Sequence, residues 1–181
     1  MGAADALTAA QVIELLGLAP LPVEGGFFRQ TYCSDETITG SALPARYARP
    51  KTFGTAIYYL LTSDPDSFSA LHRLPTEEVY HFYLGDPVEM LLLHPEGRAE
   101  RVLLGHDIAG AQRVQHVVPR TVWQGSRLLE GGRFALMGTT MAPGYDHRDY
   151  EGGHRDALTR DYPAEAECIL RLTRPHVDGD R

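Results

Sequence analysis

The sequence predicts an all-β protein, an antiparallel sandwich or barrel. Three observations carry this. Nine short β-type runs follow one another between Phe27 and Met141 with no helical stretch among them. Turn-forming residues punctuate them, as in Asp64-Pro65-Asp66, Gly85-Asp86-Pro87, Pro95-Glu96-Gly97 and Glu130-Gly131-Gly132. Finally, 18 glycines and 12 prolines in 181 residues make about one residue in six, against about one in eight in an average protein.

The chain begins with a helix. Thr8-Ala9-Ala10-Gln11 reads as a capping box, with Leu7 and Val12 placed as a hydrophobic staple. Val12, Ile13, Leu15 and Leu16 form one apolar face, and Gly17 suits a left-handed C-cap. The predicted strands are Phe27–Tyr32, Thr52–Thr62, Phe68–His72, Glu78–Leu84, Val88–Leu93, Arg101–Leu104, Val114–Val118, Val122–Gln124 and Arg133–Met141. The polar segment Ser34–Arg49 reads as a long loop at one mouth of the barrel. Two helices follow the strands, His154–Arg160 and Ala164–Leu172, the second with Pro163 at its first position. Helices are thus expected only at the two ends. Residues 1–174 read as one domain and 175–181 as a frayed tail.

Composition excludes several classes of function. The net charge is −7, from 24 acidic and 17 basic residues, which suits neither nucleic acid nor an anionic membrane surface. No apolar run approaches the ~20 residues of a membrane span. No signal peptide is visible at the N-terminus, and Cys33 and Cys168 form no C-x-x-C, so a reduced, cytoplasmic protein is expected. Lys51 is the only lysine, which leaves Schiff-base chemistry to that residue alone. Walker A, G-x-S-x-G and H-E-x-x-H motifs are absent.

The densest chemistry lies between Phe68 and Gly85, where two histidines, two glutamates and an arginine share two strands and a turn. Alternation places Glu78, Tyr80 and Phe82 on one face and Val79, His81 and Tyr83 on the other. The turn Leu74-Pro75-Thr76 is expected to return the chain so that Glu78 lies beside His72. A carboxyl in a strand centre is costly to bury without a partner, which favours a pocket at Glu78.

His72-x5-Glu78-x6-Gly85 resembles the first cupin motif, and Pro119-Arg120-Thr121-Val122-Trp123-Gln124 resembles the second. Four ordered stretches resemble the cupin_5 (DUF985) branch more closely. They are Glu24–Arg29; Leu71–Arg73 with Glu78–Pro87; Val118-Pro119 with Val122–Gly125; and Ala142–Asp146. The resemblance implies a double-stranded β-helix, the cupin jelly-roll barrel. It also implies a homodimer, which would cover exposed strand edges.

The superfamily's usual metal site uses three His and one Glu. Ala70 stands where its first His is usual, and Gln124 where the second-motif His is usual. The remaining His72, Glu78 and Gln124 are expected to hold a divalent ion only weakly, with water or substrate completing its shell. The resemblance further implies a small polar metabolite bound inside the barrel. Isomerase or epimerase chemistry is expected by similarity to the superfamily's metal-independent sugar-nucleotide epimerases. His72 or Glu78 supplies the base, Tyr80 or Tyr58 the acid, and Arg73 or Arg29 holds an anionic group. Ser69, His81, Gln124 and Tyr145 complete the expected ligand contacts. A non-catalytic binding barrel and a metal-dependent oxygenase are the alternatives.

Overall fold

The computed structural model describes residues 7–47 and 49–174; the tail expected over 175–181 lies outside them. Helix α1 (Ala9–Leu16) starts at the capping box. The Thr8 hydroxyl accepts from the Gln11 amide at 3.3 Å, and the Gln11 side chain accepts from the Thr8 amide at 2.9 Å. Gly17 ends the helix at φ +59°, where a side chain would be strained.

The strands are β1 (Ala19–Pro20), β2 (Phe27–Cys33), β3 (Thr37–Ile38), β4 (Lys51–Thr52), β5 (Thr55–Thr62), β6 (Ser69–Arg73) and β7 (Glu78–Gly85). They continue as β8 (Val88–Leu93), β9 (Ala99–Leu104), β10 (Gln115–Val118), β11 (Trp123–Leu128), β12 (Phe134–Met141) and β13 (Glu151–Gly152). Helices α2 (Arg155–Asp161) and α3 (Ala166–Arg171) close the described chain. One sheet has the order β1-β2-β5-β12-β7-β10 and the other β13-β6-β11-β8-β9, while β3 and β4 form a separate ribbon. The strand pairs within the two large sheets are antiparallel. This is the jelly-roll barrel that the family resemblance implies.

Side-chain alternation decides what each sheet buries. On β7, Glu78, Tyr80 and Phe82 are buried, while Val79 and His81 are partly exposed and Tyr83 is exposed. On β8, Met90 and Leu92 enter the barrel core with Tyr80, Phe82, Val102 and Met137. Their neighbours Leu91 and Leu93 pack outward on Leu158, Ile169 and Leu172 of the C-terminal helices and the residue that follows them. Two buried faces explain why this strand is apolar apart from the partly exposed Glu89. Each such side chain contributes about 1.5–3 kcal/mol on burial. Helix α1 covers part of the other sheet's outer face through Val12 and partly buried Ile13 and Leu16, against Leu60, Phe134 and Leu136.

All nine predicted runs contain a strand. The run Thr52–Thr62 is broken at Phe53-Gly54 into β4 and β5, and β11 extends four residues beyond its predicted end. The two-residue strands β1, β3 and β13 are too short to display a period of two. The long loop holds β3 and a 3₁₀ turn at Gly40–Ala42, and another 3₁₀ turn spans His147–Asp149, so helical turns are not confined to the chain ends. Pro163 opens a 3₁₀ turn, and regular helix begins only at Ala166. No helix among the described residues is long and apolar enough to cross a membrane.

The turn after β6 does not form the expected hairpin, because β6 and β7 belong to different sheets. Residues 74–77 instead carry the chain across the barrel. The crossing is pinned by Thr121 N–H donating to Leu74 O at 2.8 Å, by Arg46 Nε donating to Pro75 O at 3.1 Å, and by the Thr76 and Tyr47 hydroxyls at 3.0 Å. His72 and Glu78 therefore belong to facing walls.

The turn between β1 and β2 depends on Gly25, at φ +103°, where a Cβ would come within 2.3 Å of the Phe68 carbonyl oxygen. Gly25→Ala should lower stability by more than about 2 kcal/mol, from left-handed strain and a backbone clash. Urea denaturation measures this; an unchanged midpoint would refute the assigned role of the turn.

Candidate functional site

One end of the barrel interior is filled by side chains, and the other holds a cavity of about 200 Å³. Glu24, Tyr59, His72, Glu78, Thr139 and Tyr145 supply most of its polar lining; Leu21, Phe28, Ile57, Leu74 and Met141 supply the apolar part.

Strand β6 contributes His72 and Ser69, three residues apart, which simple alternation would send to opposite faces. A register shift resolves this: Gln124 pairs with His72, but Ser126 pairs with Ser69. The extra residue in β6 lets both side chains face inward, leaving Ala70 and Leu71 to pack under the C-terminal helices. Nδ1 of His72 lies 2.8 Å from Ala70 O. A carbonyl only accepts, so Nδ1 carries the proton, and Nε2 of the neutral ring keeps its lone pair. Tyr150 stacks on the imidazole with centroids 5.0 Å apart.

Glu78 stands on the facing wall. Gln124 Nε2 donates to its Oε2 at 2.7 Å, tying the two sheets together across the interior. Burial pushes the Glu78 carboxyl up from its ordinary value, and the Glu24 charge adds to this; His72 opposes, with hydrogen bonds from Thr139 and Gln124. Gln124 Oε1 is buried without a hydrogen-bond partner. Glu24 reaches the cavity from the β1–β2 turn, and its Oε1 accepts from Ser69 Oγ at 2.9 Å. Tyr59 donates to Gly25 O at 3.1 Å. Burial raises the phenols of Tyr59 and Tyr80 well above their usual range. Tyr145 is pushed up to about 12, by burial first and then by Glu24 and Glu78. At neutral pH these phenols are hydrogen-bond donors, not bases.

Of the residues expected at the site, His72, Glu78 and Tyr145 line the cavity, and Ser69 and Gln124 bond directly to lining carboxylates. Tyr80 is buried in the barrel core, inward-facing but outside the cavity lining. Arg29, Tyr58, Arg73 and His81 lie elsewhere, because strand alternation turns them outward. Arg29 and Tyr58 are register partners, with the guanidinium 5.6 Å from the ring centroid. Arg73 pairs with Glu151 at 2.7 Å and lies over Trp123. His81 bonds Thr140 and Gln115, each at 3.2 Å. An arginine clamp on an anionic group is thus corrected: no arginine or lysine lines the cavity among the described residues.

Sequence reasoning missed Glu24, Tyr59 and Thr139. Glu24 bonds Ser69, far away in the sequence. Its only sequence signal is an acid followed by a Gly-Gly turn that reverses the chain onto the barrel mouth.

The expected metal ligands do not fit an ion. The Gln124 amide presents N–H to Glu78, so its oxygen is not aimed at a point shared with that carboxylate. Among the described residues, no three of His, Cys, Asp and Glu stand close enough to share a metal. One imidazole and one carboxylate remain, too few for a firm centre.

The mouth of the barrel is braced by Lys51, 2% exposed, which pairs with Asp149 and lies 3.9 Å from Asp146. This cluster ties β4 to the segment carrying Tyr145 and Tyr150. Asp146 is held far below the usual carboxylate range, chiefly by Arg148.

The Glu78 environment has a consequence for stability. A carboxyl raised in the folded state binds more protons than in the unfolded chain between the two values, so stability falls as pH rises through that window. Glu78→Gln removes this cost while keeping an acceptor for Gln124. At pH 7 it should raise Tm by about 2–4 °C, the effect of ~1 kcal/mol in a chain this size. The gain should vanish towards pH 4. A lower Tm at pH 7 would contradict the assignment.

Comparison with known proteins agrees with this architecture. A family model described as "Cupin superfamily (DUF985)" matches residues 10–152. An uncharacterised protein of Saccharomyces cerevisiae, YML079W, is 29% identical over 137 residues, covering 70% of this chain and 66% of its own length. The solved structure of protein SO0799 from Shewanella oneidensis is 30% identical, with a TM-score of 0.82 over 94% of this chain and all of that one. A hypothetical protein from Leishmania major is 26% identical, with a TM-score of 0.81 over 93% of this chain and all of that one. An oxalate decarboxylase from Bacillus subtilis, 13% identical with a TM-score of 0.50, shares the fold alone over 90% of this chain and 41% of its own. The chain belongs to the cupin superfamily, in the DUF985 family.

Proposed function

We propose that the cavity binds one small polar metabolite and moves a proton on it, as an isomerase or epimerase does. The observation that carries this reading is the pairing of His72 and Glu78 on facing walls of one cavity, with opposite proton assignments. His72 offers a lone pair at Nε2, because Nδ1 is committed to Ala70 O. Glu78 is biased towards its protonated form by burial. A free imidazole lone pair and a carboxyl biased towards its protonated form, facing one another across a cavity, can serve as base and acid.

In the proposed step, Nε2 of His72 removes a proton from a carbon next to a carbonyl. The electron pair passes to the carbonyl oxygen as an enol forms. Glu78 gives its proton to that oxygen, and the imidazolium then returns a proton to carbon while Glu78 takes back the enol hydroxyl proton, so that the carbonyl and both groups are restored. Tyr145 acts as a donor that orients the substrate.

Size limits the substrate. A cavity of about 200 Å³ lies below the ~300–1,000 Å³ of drug-sized ligand sites. It favours a small carbonyl compound over a sugar nucleotide, whose diphosphate would also lack a cationic partner there. A non-catalytic binding barrel remains the second reading, since the same cavity serves it. The oxygenase reading loses support because the donor set does not fit a metal.

Incubation with small ketoses and aldoses in D₂O, followed by NMR, tests the proposal. Hydrogen exchange next to a carbonyl is the expected result, falling by about 10²-fold or more in His72→Ala. Undiminished exchange in His72→Ala would overturn the mechanism. Saturable binding without exchange would favour the binding barrel.

A further inference from the structure

The cavity's charge is unbalanced, and this bears on its ligand. Two carboxyl groups, Glu24 and Glu78, face one small space that no lysine or arginine enters among the described residues. Their situations differ. Glu78 is fully buried in the wall and engaged by Gln124 and Thr139. Glu24 is half-buried at the mouth, with Ser69 on one oxygen and, among the described residues, no side-chain donor on the other. A second observation points to a ligand. His72 is 1% exposed and lines the same cavity, and its hydrogen bond among the described residues is made through Nδ1, not Nε2.

We infer that the natural ligand carries an organic ammonium group, which pairs with the free oxygen of Glu24 while its uncharged remainder lies between His72 and Glu78. This rests on the reading of the cavity as a ligand site.

The chemistry selects among ligand charges. Any ligand that fills the mouth strips water from the Glu24 carboxylate. A neutral group leaves that cost uncompensated, and an anion adds repulsion from Glu24. A cation compensates it and also has the aromatic residues Phe28, Tyr59 and Tyr145 in the cavity lining, side chains suited to a cation–π contact. A bare metal ion fits poorly, because the ligating side chains are too dispersed to share one. An ammonium on a carbon frame spans that spacing and sets its methylenes against Leu21 and Ile57. The ligand class is then an amine-bearing ketone, aldehyde or sugar without a carboxylate or phosphate.

Three probes of matched length test this at pH 7: n-butylammonium, 1-butanol and butyrate, each titrated by calorimetry and ligand-observed NMR. Butylammonium should bind at least tenfold more tightly than butanol, with butyrate weakest. Glu24→Gln should weaken butylammonium at least fivefold and leave butanol within twofold. Glu24→Asp, which keeps the charge, should retain the preference for the cation, and circular dichroism verifies that both variants fold. Equal or tighter binding of butanol or butyrate, blocked by the cavity-filling Met141→Trp, would overturn the charge inference while leaving the ligand cavity standing. Butylammonium binding unchanged in Glu24→Gln, or its displacement by micromolar Mn²⁺, would overturn it too. If none of the probes binds, the ligand-cavity reading fails and takes this inference with it.

Discussion

A carboxyl can sit in the wall of a β-barrel only if donors reach it, and the Gln124–Glu78 hydrogen bond meets that requirement here. The bond runs from the middle of one sheet to the other. It takes a side chain that costs stability when charged and holds it at the boundary between packed core and cavity. Without Gln124 and Thr139, Glu78 would need to reach solvent or be replaced by an apolar residue, and the cavity would shrink into ordinary core. The amide stays imperfectly satisfied, with one oxygen buried and unbonded. Such a cost is the kind that the proposed ligand site would carry.

The rest of the open end is organised around that carboxyl. The crossing at residues 74–77 changes sheets, so residues close in sequence face each other instead of lying side by side. The register shift in β6 turns Ser69 inward, where it anchors Glu24. Glycine at position 25 brings the Glu24 turn against the barrel. Lys51, buried among Asp146 and Asp149, steadies the segment that carries Tyr145 to the cavity and Tyr150 onto His72. The far end needs none of this, because Met90, Leu92, Val102 and Met137 fill it by packing alone.

Much of this was legible in the sequence where a local rule governs. The capping box, the left-handed Gly17, the nine strands and the opposite facing of Glu78 and His81 follow from spacing and alternation. Arg29, Tyr58 and Arg73 were chosen by residue type, and alternation places all three outside. Arg73 adjoins inward-facing His72 and so turns outward. Ser69 and His72 share the interior only through the extra residue in β6, which no period of two reveals. The sheet change after β6 was equally hidden, since a Leu-Pro-Thr turn suits a hairpin and a crossing alike. Glu24 escaped notice because its partner, Ser69, is 45 residues away. The family resemblance carried the barrel topology, which the spacing of strands left open between sandwich and barrel.

The account rests on Glu78 being a buried carboxyl with a raised proton affinity, held by Gln124. Carbon-13 NMR titration of the Glu78 carboxyl measures this directly. Its midpoint should lie above the ordinary 4.5 in the native protein, and should rise further in Gln124→Ala, where a hydrogen bond to the charged form is lost. A midpoint at or below 4.5 that does not respond to Gln124→Ala would contradict the account.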